Sequence, residues 1–244
     1  QGPGECGNRG WVRDMRVFTK PSVSLVKSCL DDLERTWKQG EVVHEPYSDE
    51  PLDGLILTIL SQNTNDRNRD RAFASLKAHF NTWGEVSAAS AQEISNVIRS
   101  GGLSNIKARR ILEVLERVRS HFGNLSLKAL RGWETEDIRR FLEGTPGVGA
   151  KTIACVLLFD LGRPAFPVDT HIARVSRRLG WAEASMPPEE IQVLMEDLVP
   201  PERYNEAHLN LITHGRRLCT SRKAFCVECP LRDRCPYPER IPEG

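Results

Sequence analysis

The sequence predicts an all-α fold. Apolar residues recur every three to four positions along most of the 244 residues, which is the spacing of amphipathic helices. No stretch alternates polar and apolar residues clearly enough to indicate a strand. Short turns that contain Gly or Pro separate the helical segments, so we expect about ten helices packed against one another.

The predicted helices follow one another with few long interruptions. Gly40 is predicted to end the first helix, and Asn65 or Asp66 is predicted to cap the third. A polar, proline-bearing linker separates the first helix from the second. The predicted helices are, in order, PSVSLVKSCLDDLERTWKQG, LDGLILTILSQ, RNRDRAFASLKAHF, AQEISNVIRS, NIKARRILEVLERVRSHF, TEDIRRFLEG, AKTIACVLLFDLG, THIARVSRRLG, EEIQVLMEDLV and ERYNEAHLNLITHGRR.

Composition limits the classes of protein that fit. Hydrophobic residues make up 39% of the chain and charged residues 27%, which is ordinary for a soluble globular protein. A net charge of +1 argues against a uniformly basic surface but permits a local basic patch. No apolar run approaches the roughly 20 residues that cross a bilayer, so we expect no membrane partner and a reducing compartment. Residues 1–23 are expected to form a flexible N-terminal segment, in part left over from an expression vector.

The glycine-rich turn TPGVGAK indicates a helix–hairpin–helix. Gly147 and Gly149 permit positive φ and close backbone approach, and with Val148 they present N–H groups at the start of a helix. Such groups bind a DNA phosphate without reading base sequence. A nucleotide-binding P-loop needs a longer spacing and a preceding strand. From the turn alone, an ordinary packing turn between two helices is the open alternative.

Lys151 and Asp169 are the candidate catalytic pair. Lys151 lies in the first turn of a helix, where the positive end of the dipole disfavours the ammonium form and favours a nucleophilic amine. A phosphate-contacting or merely solvated lysine is the alternative. Asp169 opens the helix DTHIARVSRRLG, either as its N-cap or as a carboxylate that accepts a proton. The intervening segment is long enough to bring Asp169 back beside Lys151.

Four of the seven cysteines crowd into one short segment. They follow the spacing C-x6-C-x2-C-x5-C, at Cys219, Cys226, Cys229 and Cys235. Four thiolates hold either a structural zinc or a [4Fe–4S] cluster, and the single short C-x2-C pair favours the cluster. A disulfide framework does not suit a chain of this size in a reducing compartment. Basic residues surround the cysteines, and Arg222 and Lys223 are expected to contact phosphates.

Taken in order, LEGTPGVGAKTIACVLL, FPVDTHIARVSRRLG and the four-cysteine segment resemble the endonuclease III family of DNA glycosylase/AP lyases, over residues 24–236. The resemblance implies a two-domain helix–hairpin–helix DNA glycosylase fold, with helical domains on either side of a DNA groove. Residues 44–163 would form a six-helix barrel. Residues 24–43 and 164–244 would form the iron–sulfur cluster domain.

The resemblance also implies roles for single residues. Lys151 matches the family's nucleophile, Asp169 its essential carboxylate, and the four cysteines its cluster ligands. ILSQNTND matches a segment that contacts DNA near the flipped base, with Asn63 where the family usually has a void-filling glutamine and Gln62 beside it. Leu103, in GGLSNIKA, matches an apolar wedge that enters the duplex.

The implied function is that of a bifunctional DNA glycosylase/AP lyase for oxidised pyrimidines, which forms a lysine Schiff base and cleaves the strand by β-elimination. Damaged double-stranded DNA would be the partner of a monomer. The compartment would be the bacterial cytoplasm, beside the nucleoid, or a eukaryotic nucleus or mitochondrion. Glu45, Asp53, His171 and the segment 61–66 are further candidates for lining the base pocket.

Three alternatives are weighed against this function. A non-catalytic helix–hairpin–helix DNA-binding protein would not need both Lys151 and Asp169. A glycosylase for mismatched uracil or thymine usually has a tyrosine where this chain has Lys151. A helical scaffold stapled by zinc would lack the visible colour of an iron–sulfur cluster.

Overall fold

The structure, a computed structural model, describes residues 18–38 and 48–238. Within these ranges it contains eleven α-helices and no β-strand, so the prediction of an all-α fold is confirmed. The helices are α1 (Val23–Trp37), α2 (Pro51–Ser61), α3 (Asp66–His79), α4 (Trp83–Ala88), α5 (Ala91–Val97), α6 (Ser104–Phe122), α7 (Thr135–Glu143), α8 (Ala150–Cys155), α9 (Thr170–Arg178), α10 (Pro188–Leu198) and α11 (Tyr204–Arg217). 3-10 turns occupy Arg99–Gly101, Lys128–Gly132, Pro201–Arg203, Cys226–Glu228 and Arg232–Arg234.

Each of the ten predicted segments contains a helix, but some boundaries differ. The prediction missed α4 and the 3-10 turn Lys128–Gly132, because six or five residues are too few to show a periodic pattern. The segment that follows the glycine turn is not one continuous α-helix. It divides into α8 and a π-helical stretch at Val156–Asp160, and π-helical turns occur frequently at functional sites.

Two helix ends resolve the capping predictions. α1 ends at Trp37, before the predicted Gly40, which itself lies outside the described residues. Lys38 adopts the left-handed conformation, with φ of 53°, and so ends the helix without a glycine. At α3 the cap is Asn65, whose side chain accepts a backbone hydrogen bond of 2.9 Å, and Asp66 is the first helical residue.

Two hydrophobic cores organise the described residues. α2 to α8 surround the first core, and α1 with α9, α10 and α11 surrounds the second. The chain passes from one core to the other between Ala165 and Phe166, both of which are fully buried. That crossing lies close to the predicted boundary between residues 163 and 164, although the domain division itself stays a prediction. No helix in residues 18–38 and 48–238 is long and apolar enough to span a membrane.

The second core joins segments that are distant in sequence. α1 packs against α11, and Arg203 donates a hydrogen bond of 2.6 Å to Asp31. Arg234, beside the last cysteine, donates to Ser28 at 2.5 Å and forms an ion pair with Asp32.

Most of the predicted N-terminal segment 1–23 lies outside the described residues, since only residues 18–23 are described.

A buried carboxylate lies inside the first core. Asp160, at the end of the π-helical stretch, packs so closely on α2 that a Cβ atom at Gly54 would lie 1.9 Å from its Oδ1 atom. Burial raises the pKa of Asp160 to about 7; Arg131 opposes this and Asp53 adds to it. The absence of a side chain at Gly54 therefore makes room for an acid that titrates near neutral pH.

Candidate functional site

The glycine hairpin joins α7 to α8 and is fixed by its own backbone. Gly147 has φ of 75°, and a Cβ atom there would lie 2.6 Å from Cδ of Arg110. Val148 is 6% exposed, so its side chain anchors the hairpin in the first core. Its N–H, which was predicted to be presented to a phosphate, instead donates to the carbonyl of Thr145 at 3.1 Å. Gly149 is extended and exposed, with φ of −97° and no atom near the position of a Cβ. Gly147 is therefore required by the conformation, while Gly149 leaves open space.

Gln62 connects this hairpin to the loop that follows α2. Its side-chain nitrogen donates to the carbonyl of Gly147 at 3.1 Å, and its side-chain oxygen accepts from Arg110 at 2.5 Å. Both ends of the amide are thus engaged within the protein. Asn63, the next residue, is exposed and has φ of 51°.

Lys151 is the second residue of α8 and is half-buried. Its side chain is close enough to the thiol of Cys155, one turn further along, to lower the pKa of that thiol. Burial raises the pKa of the Cys155 thiol, Lys151 lowers it, and the negative charges of Asp160 and Asp169 raise it further. Lys151 and Asp169 therefore lie within electrostatic reach of the same buried atom.

Asp169 is the N-cap of α9. Its Oδ1 atom accepts hydrogen bonds from the backbone N–H groups of His171, at 2.9 Å, and Ile172, at 2.8 Å. The capping alternative is thus correct as a description of the local structure. Capping does not conflict with a chemical role, because the two hydrogen bonds fix the direction of the half-buried carboxylate.

Asp66 is a carboxylate near Lys151 and belongs to segment 61–66, one of the candidates for lining the base pocket. Arg216, in the last turn of α11, donates to it at 2.6 Å, and Arg69 pairs with it at 3.2 Å. Burial opposes these contacts, but the hydrogen bond and charge of Arg216, with the charges of Arg69 and Lys151, lower the pKa of Asp66. The ion pair from Asp66 to Arg216 joins helices that belong to different cores.

Two loop tips adopt the left-handed conformation, which residues other than glycine rarely do. Asn63 follows α2, and Leu103, with φ of 47°, precedes α6. Leu103 is 51% exposed, and its neighbour Ile106 is 44% exposed. Both apolar side chains face solvent at the start of α6, where the apolar wedge was predicted.

The four cysteines line one cavity in the second core. Arg178 donates a hydrogen bond of 3.3 Å to the sulfur of Cys219, and the thiol of Cys235 donates to the carbonyl of Arg178 at 3.4 Å. His214 is 2% exposed, and its Nε2 atom lies 3.7 Å from the sulfur of Cys229. The cavity is lined by Val175, Arg178, Leu179, His214, Leu218, Cys219, Ala224, Phe225, Cys226, Cys229, Arg232, Cys235, Tyr237 and Pro238.

Burial disfavours the thiolate form of two of the four cysteines, Cys229 and Cys235. Burial raises the pKa of Cys229 to about 11; a backbone hydrogen bond opposes this, and the charges of the other three cysteines add to it. In residues 18–38 and 48–238, no three His, Cys, Asp or Glu side chains converge tightly enough to hold one metal ion. The four sulfurs border a shared cavity, and their chemistry suits a thiolate-binding iron–sulfur group.

Arg174 links the start of α9 to the cysteine segment. Its Nε atom donates to the carbonyl of Cys219 at 3.0 Å, and an Nη atom donates to the carbonyl of Gly215 at 2.8 Å. The same Nη atom lies 3.2 Å from Nδ1 of His171. The helix that Asp169 caps is therefore tied to the first cysteine.

The remaining predicted residues lie in different surroundings. Asp53 is 7% exposed and accepts hydrogen bonds from the Trp83 side chain, at 2.8 Å, and from Lys77, at 3.3 Å, inside the first core. Arg222 and Lys223 are both exposed. Glu45 lies outside the described residues.

Lys107 and Arg110, two basic residues of α6, were not among the predicted site residues. Both stand in the polar stretch SNIKARR, whose composition indicates a solvent-facing surface. Lys107 is nevertheless buried, and Arg110 holds Gln62. Helical periodicity could have indicated that Lys107 is buried, because Lys107 lies four residues before Ile111 on the buried face of α6.

Known proteins are similar to this chain in sequence and in fold. A family model described as HhH-GPD superfamily base excision DNA repair protein matches residues 56–201. An Arabidopsis thaliana protein provisionally named a DNA glycosylase is 39% identical over 197 residues, covering 80% of this chain and 67% of that protein. Endonuclease III of Thermotoga maritima is 31% identical over 195 residues, covering 80% of this chain and 87% of its own.

A solved structure extends the comparison to three dimensions. It is a trapped covalent intermediate of endonuclease III with DNA, in an estranged-adenine complex, and it aligns with a TM-score of 0.78 at 26% identity. The alignment covers 90% of this chain and 98% of the other. The chain therefore belongs to the HhH-GPD superfamily of base excision DNA repair proteins, as a DNA-binding enzyme of the endonuclease III-like DNA glycosylase family.

Proposed function

We propose that the protein is a bifunctional DNA glycosylase/AP lyase that acts as a monomer, removes oxidised pyrimidines from double-stranded DNA and cleaves the strand. The arrangement of Lys151 and Asp169 around the Cys155 thiol carries the proposal. Lys151 offers an amine at the start of α8, and Asp169 offers an oriented carboxylate at the start of α9. An amine and a carboxylate within electrostatic reach of one thiol, next to a hairpin suited to phosphate, form a combination that suits Schiff-base chemistry on DNA.

The reaction begins when the damaged nucleotide rotates out of the duplex, since its C1′ atom cannot be reached inside the stack. The neutral amine of Lys151 attacks C1′, and the bond from C1′ to the base breaks. The base leaves with the bonding electrons and takes up a proton. Asp169 accepts the proton that Lys151 loses, or stabilises the positive charge that develops on the sugar.

Strand cleavage follows from the same covalent bond. Opening of the sugar ring leaves a Schiff base between Lys151 and C1′, which makes the C2′ proton acidic. Loss of that proton and departure of the 3′ phosphate complete β-elimination. Water then hydrolyses the Schiff base and regenerates Lys151.

We assign the candidate DNA-binding residues according to whether their side chains are exposed or already bonded within the protein. Asn63 and Leu103 are exposed loop tips and are assigned to the distorted duplex. Gln62 has both ends of its side chain engaged, so we assign it to fixing the hairpin from behind. The exposed side chains of Arg222 and Lys223 are assigned to phosphates.

We assign the four-cysteine segment to a [4Fe–4S] cluster. The four thiols line one cavity, and Arg178 stabilises negative charge on the sulfur of Cys219. Bound through four thiolates, such a cluster supplies folding free energy to the segment. The ligands in this assignment are Cys219, Cys226, Cys229 and Cys235.

Borohydride trapping tests the function directly. The substrate is duplex DNA with one thymine glycol, and the proteins are the intact chain, Lys151→Ala and Lys27→Ala. Lys27 is an exposed lysine of α1, so Lys27→Ala controls for the loss of one lysine. We expect a covalent adduct from the intact chain and Lys27→Ala and none from Lys151→Ala.

The other outcomes separate the competing functions. Release of the base without an adduct would indicate a monofunctional glycosylase, and a parallel duplex with a uracil·guanine mismatch would identify the mismatch type. Binding without base release or adduct on either duplex, or on an abasic duplex, would indicate a non-catalytic DNA-binding protein. A difference between intact and Lys27→Ala would mean that lysine loss alone perturbs the assay.

A further inference from the structure

Lys107 is a buried lysine that the proposed chemistry does not use. It lies in the first turn of α6 and is 1% exposed. Its Nζ atom donates hydrogen bonds to the carbonyl of Leu60, at 2.7 Å, and to the carbonyl of Gly101, at 2.8 Å. These carbonyls belong to separate elements, because Leu60 is in the last turn of α2 and Gly101 ends the 3-10 turn before α6.

Each carbonyl stands just ahead of an exposed, left-handed loop tip. Asn63 follows Leu60 by three residues, and Leu103 follows Gly101 by two. Left-handed conformations at residues other than glycine persist only where the surrounding structure holds them. One ammonium group therefore binds the base of both loops.

The charge of Lys107 suits this position. The carbonyls at the end of a helix carry partial negative charge, which an ammonium group satisfies better than a neutral donor. Burial lowers the pKa of Lys107 to about 8, and the positive charge of Arg110, one turn further along α6, adds to the effect. No carboxylate within the described residues contributes to this pKa. The ammonium form is thus present at neutral pH and is lost in mildly basic solution.

We infer that Lys107 is a positioning residue that holds the Asn63 and Leu103 tips at a fixed separation, so that both enter the duplex together when a nucleotide rotates out. The inference rests on the proposed DNA contacts of these two tips. If the carbonyls lose their shared donor, each loop moves independently. One tip then enters the duplex without the other, and the space left by the rotated nucleotide is not filled.

The test measures DNA distortion rather than chemistry. The substrate is a duplex with an uncleavable abasic analogue next to 2-aminopurine, whose fluorescence rises when it is unstacked. Lys107→Met keeps the chain length and removes the charge, and Lys27→Met makes the same change on the exposed side of α1. Fluorescence anisotropy on an undamaged duplex reports total binding.

We expect Lys107→Met to reduce the equilibrium for unstacking about tenfold, the effect of losing a charged hydrogen-bond donor. Binding to undamaged duplex should change by less than about twofold, because the phosphate contacts are unaltered. Unstacking by the intact chain should fall as pH rises through about 8, whereas Lys107→Met should show no such step. Lys27→Met should behave as the intact chain does.

Equal unstacking by Lys107→Met and the intact chain would overturn the inference, as would an intact-chain profile without a step near that pH. If Lys107→Met fails to fold, as judged by its helical circular dichroism, the pH profile of the intact chain decides alone. Borohydride trapping on thymine glycol distinguishes the two levels of failure. An intact chain that traps DNA while Lys107→Met unstacks normally refutes only the role of Lys107, whereas an intact chain that neither traps nor unstacks refutes the proposed function and this inference with it.

Discussion

The side chain of Gln62 donates a hydrogen bond of 3.1 Å to the backbone carbonyl of Gly147, while its oxygen accepts one from Arg110. Three segments that are far apart in sequence meet at this amide: the loop after α2, helix α6 and the glycine hairpin. The hairpin is therefore held by its surroundings as well as by its own glycines. Its geometry should depend on residues outside the glycine motif.

Gln62→Leu should loosen the hairpin. The change keeps a similar volume but leaves the Gly147 carbonyl and Arg110 without this partner, and we expect a loss of about 1–2 kcal/mol in the free energy of unfolding. Asn63→Gly is the neighbouring control, since glycine accepts positive φ and removes only an exposed side chain. Urea denaturation of both variants tests the prediction, which is wrong if they lose the same stability.

Gly147→Ala and Gly149→Ala should differ sharply. At Gly147 a methyl group meets the Arg110 side chain and the backbone is left-handed, so we expect a loss of about 2–3 kcal/mol in the free energy of unfolding. At Gly149 the methyl group enters open space at negative φ, so the change should stay within about 0.5 kcal/mol. Urea denaturation measures both, and similar losses would contradict the assigned hairpin geometry.

Two substitutions of Asp169 should separate capping from chemistry. Asparagine caps a helix as well as aspartate does but carries no charge, whereas alanine does neither. We expect both Asp169→Asn and Asp169→Ala to reduce covalent trapping by about 100-fold or more. Only Asp169→Ala should also lose about 1 kcal/mol of stability. Normal trapping by Asp169→Asn would show that the residue is a cap alone.

Asp160 should make stability depend on pH. Its folded pKa of about 7 lies above the unfolded value of 3.8, so the folded state holds a proton that the unfolded state releases. Its contribution to stability is complete below the unfolded pKa and is lost as pH rises through about 7. Asp160→Asn mimics the protonated acid, and its advantage over the intact chain should grow to about 2–4 kcal/mol at mildly basic pH.

Urea denaturation from below the unfolded pKa of 3.8 to mildly basic pH checks the Asp160 prediction. Asp137→Asn, which alters a half-exposed carboxylate paired with Arg140, is the matched control and should show no such growth. A constant difference between Asp160→Asn and the intact chain at every pH would contradict the buried position of this acid.

Removal of one cysteine should affect iron and DNA binding together. Cys226→Ser is expected to reduce iron content, visible iron–sulfur absorption and DNA affinity, because a ligand is lost from the segment that carries Arg222 and Lys223. Cys29→Ser alters a buried thiol of α1 outside the four-cysteine segment and should keep the iron. Full iron occupancy in Cys226→Ser would remove Cys226 from the ligand set.

The order and type of the helices followed from the sequence because local signals determine them. Amphipathic spacing marked α6 and α11, and the polar side chain of Asn65 marked the start of α3. α4 was missed because its six residues make fewer than two turns, and only Trp83 and Val86 among them are buried. The π-helical stretch was missed because its five residues, VLLFD, are just as compatible with a buried α-helix.

The candidate site was predicted only in part, and its missing members share one cause. Lys151, Asp169 and the cysteines stand in motifs, whereas Lys107 and Asp160 owe their surroundings to segments far away in sequence. The polar composition around Lys107 indicates a solvated residue, although helical spacing places it on the buried face of α6. The carbonyls that bind its ammonium group come from other elements, so they could not be predicted from the local sequence.

The packing of α1 against α11 determines when the second core can form during synthesis. The apolar face of α1, which includes Val26, Leu30 and Leu33, is translated before the whole of the first core and must wait for residues beyond 200 to cover it. α2 to α8 are synthesised much earlier and can fold co-translationally, before α11 has been made. The nascent chain thus carries an uncovered amphipathic helix ahead of the folded first core. The final segment, with its four cysteines, closes a loop of well over 100 residues when it docks.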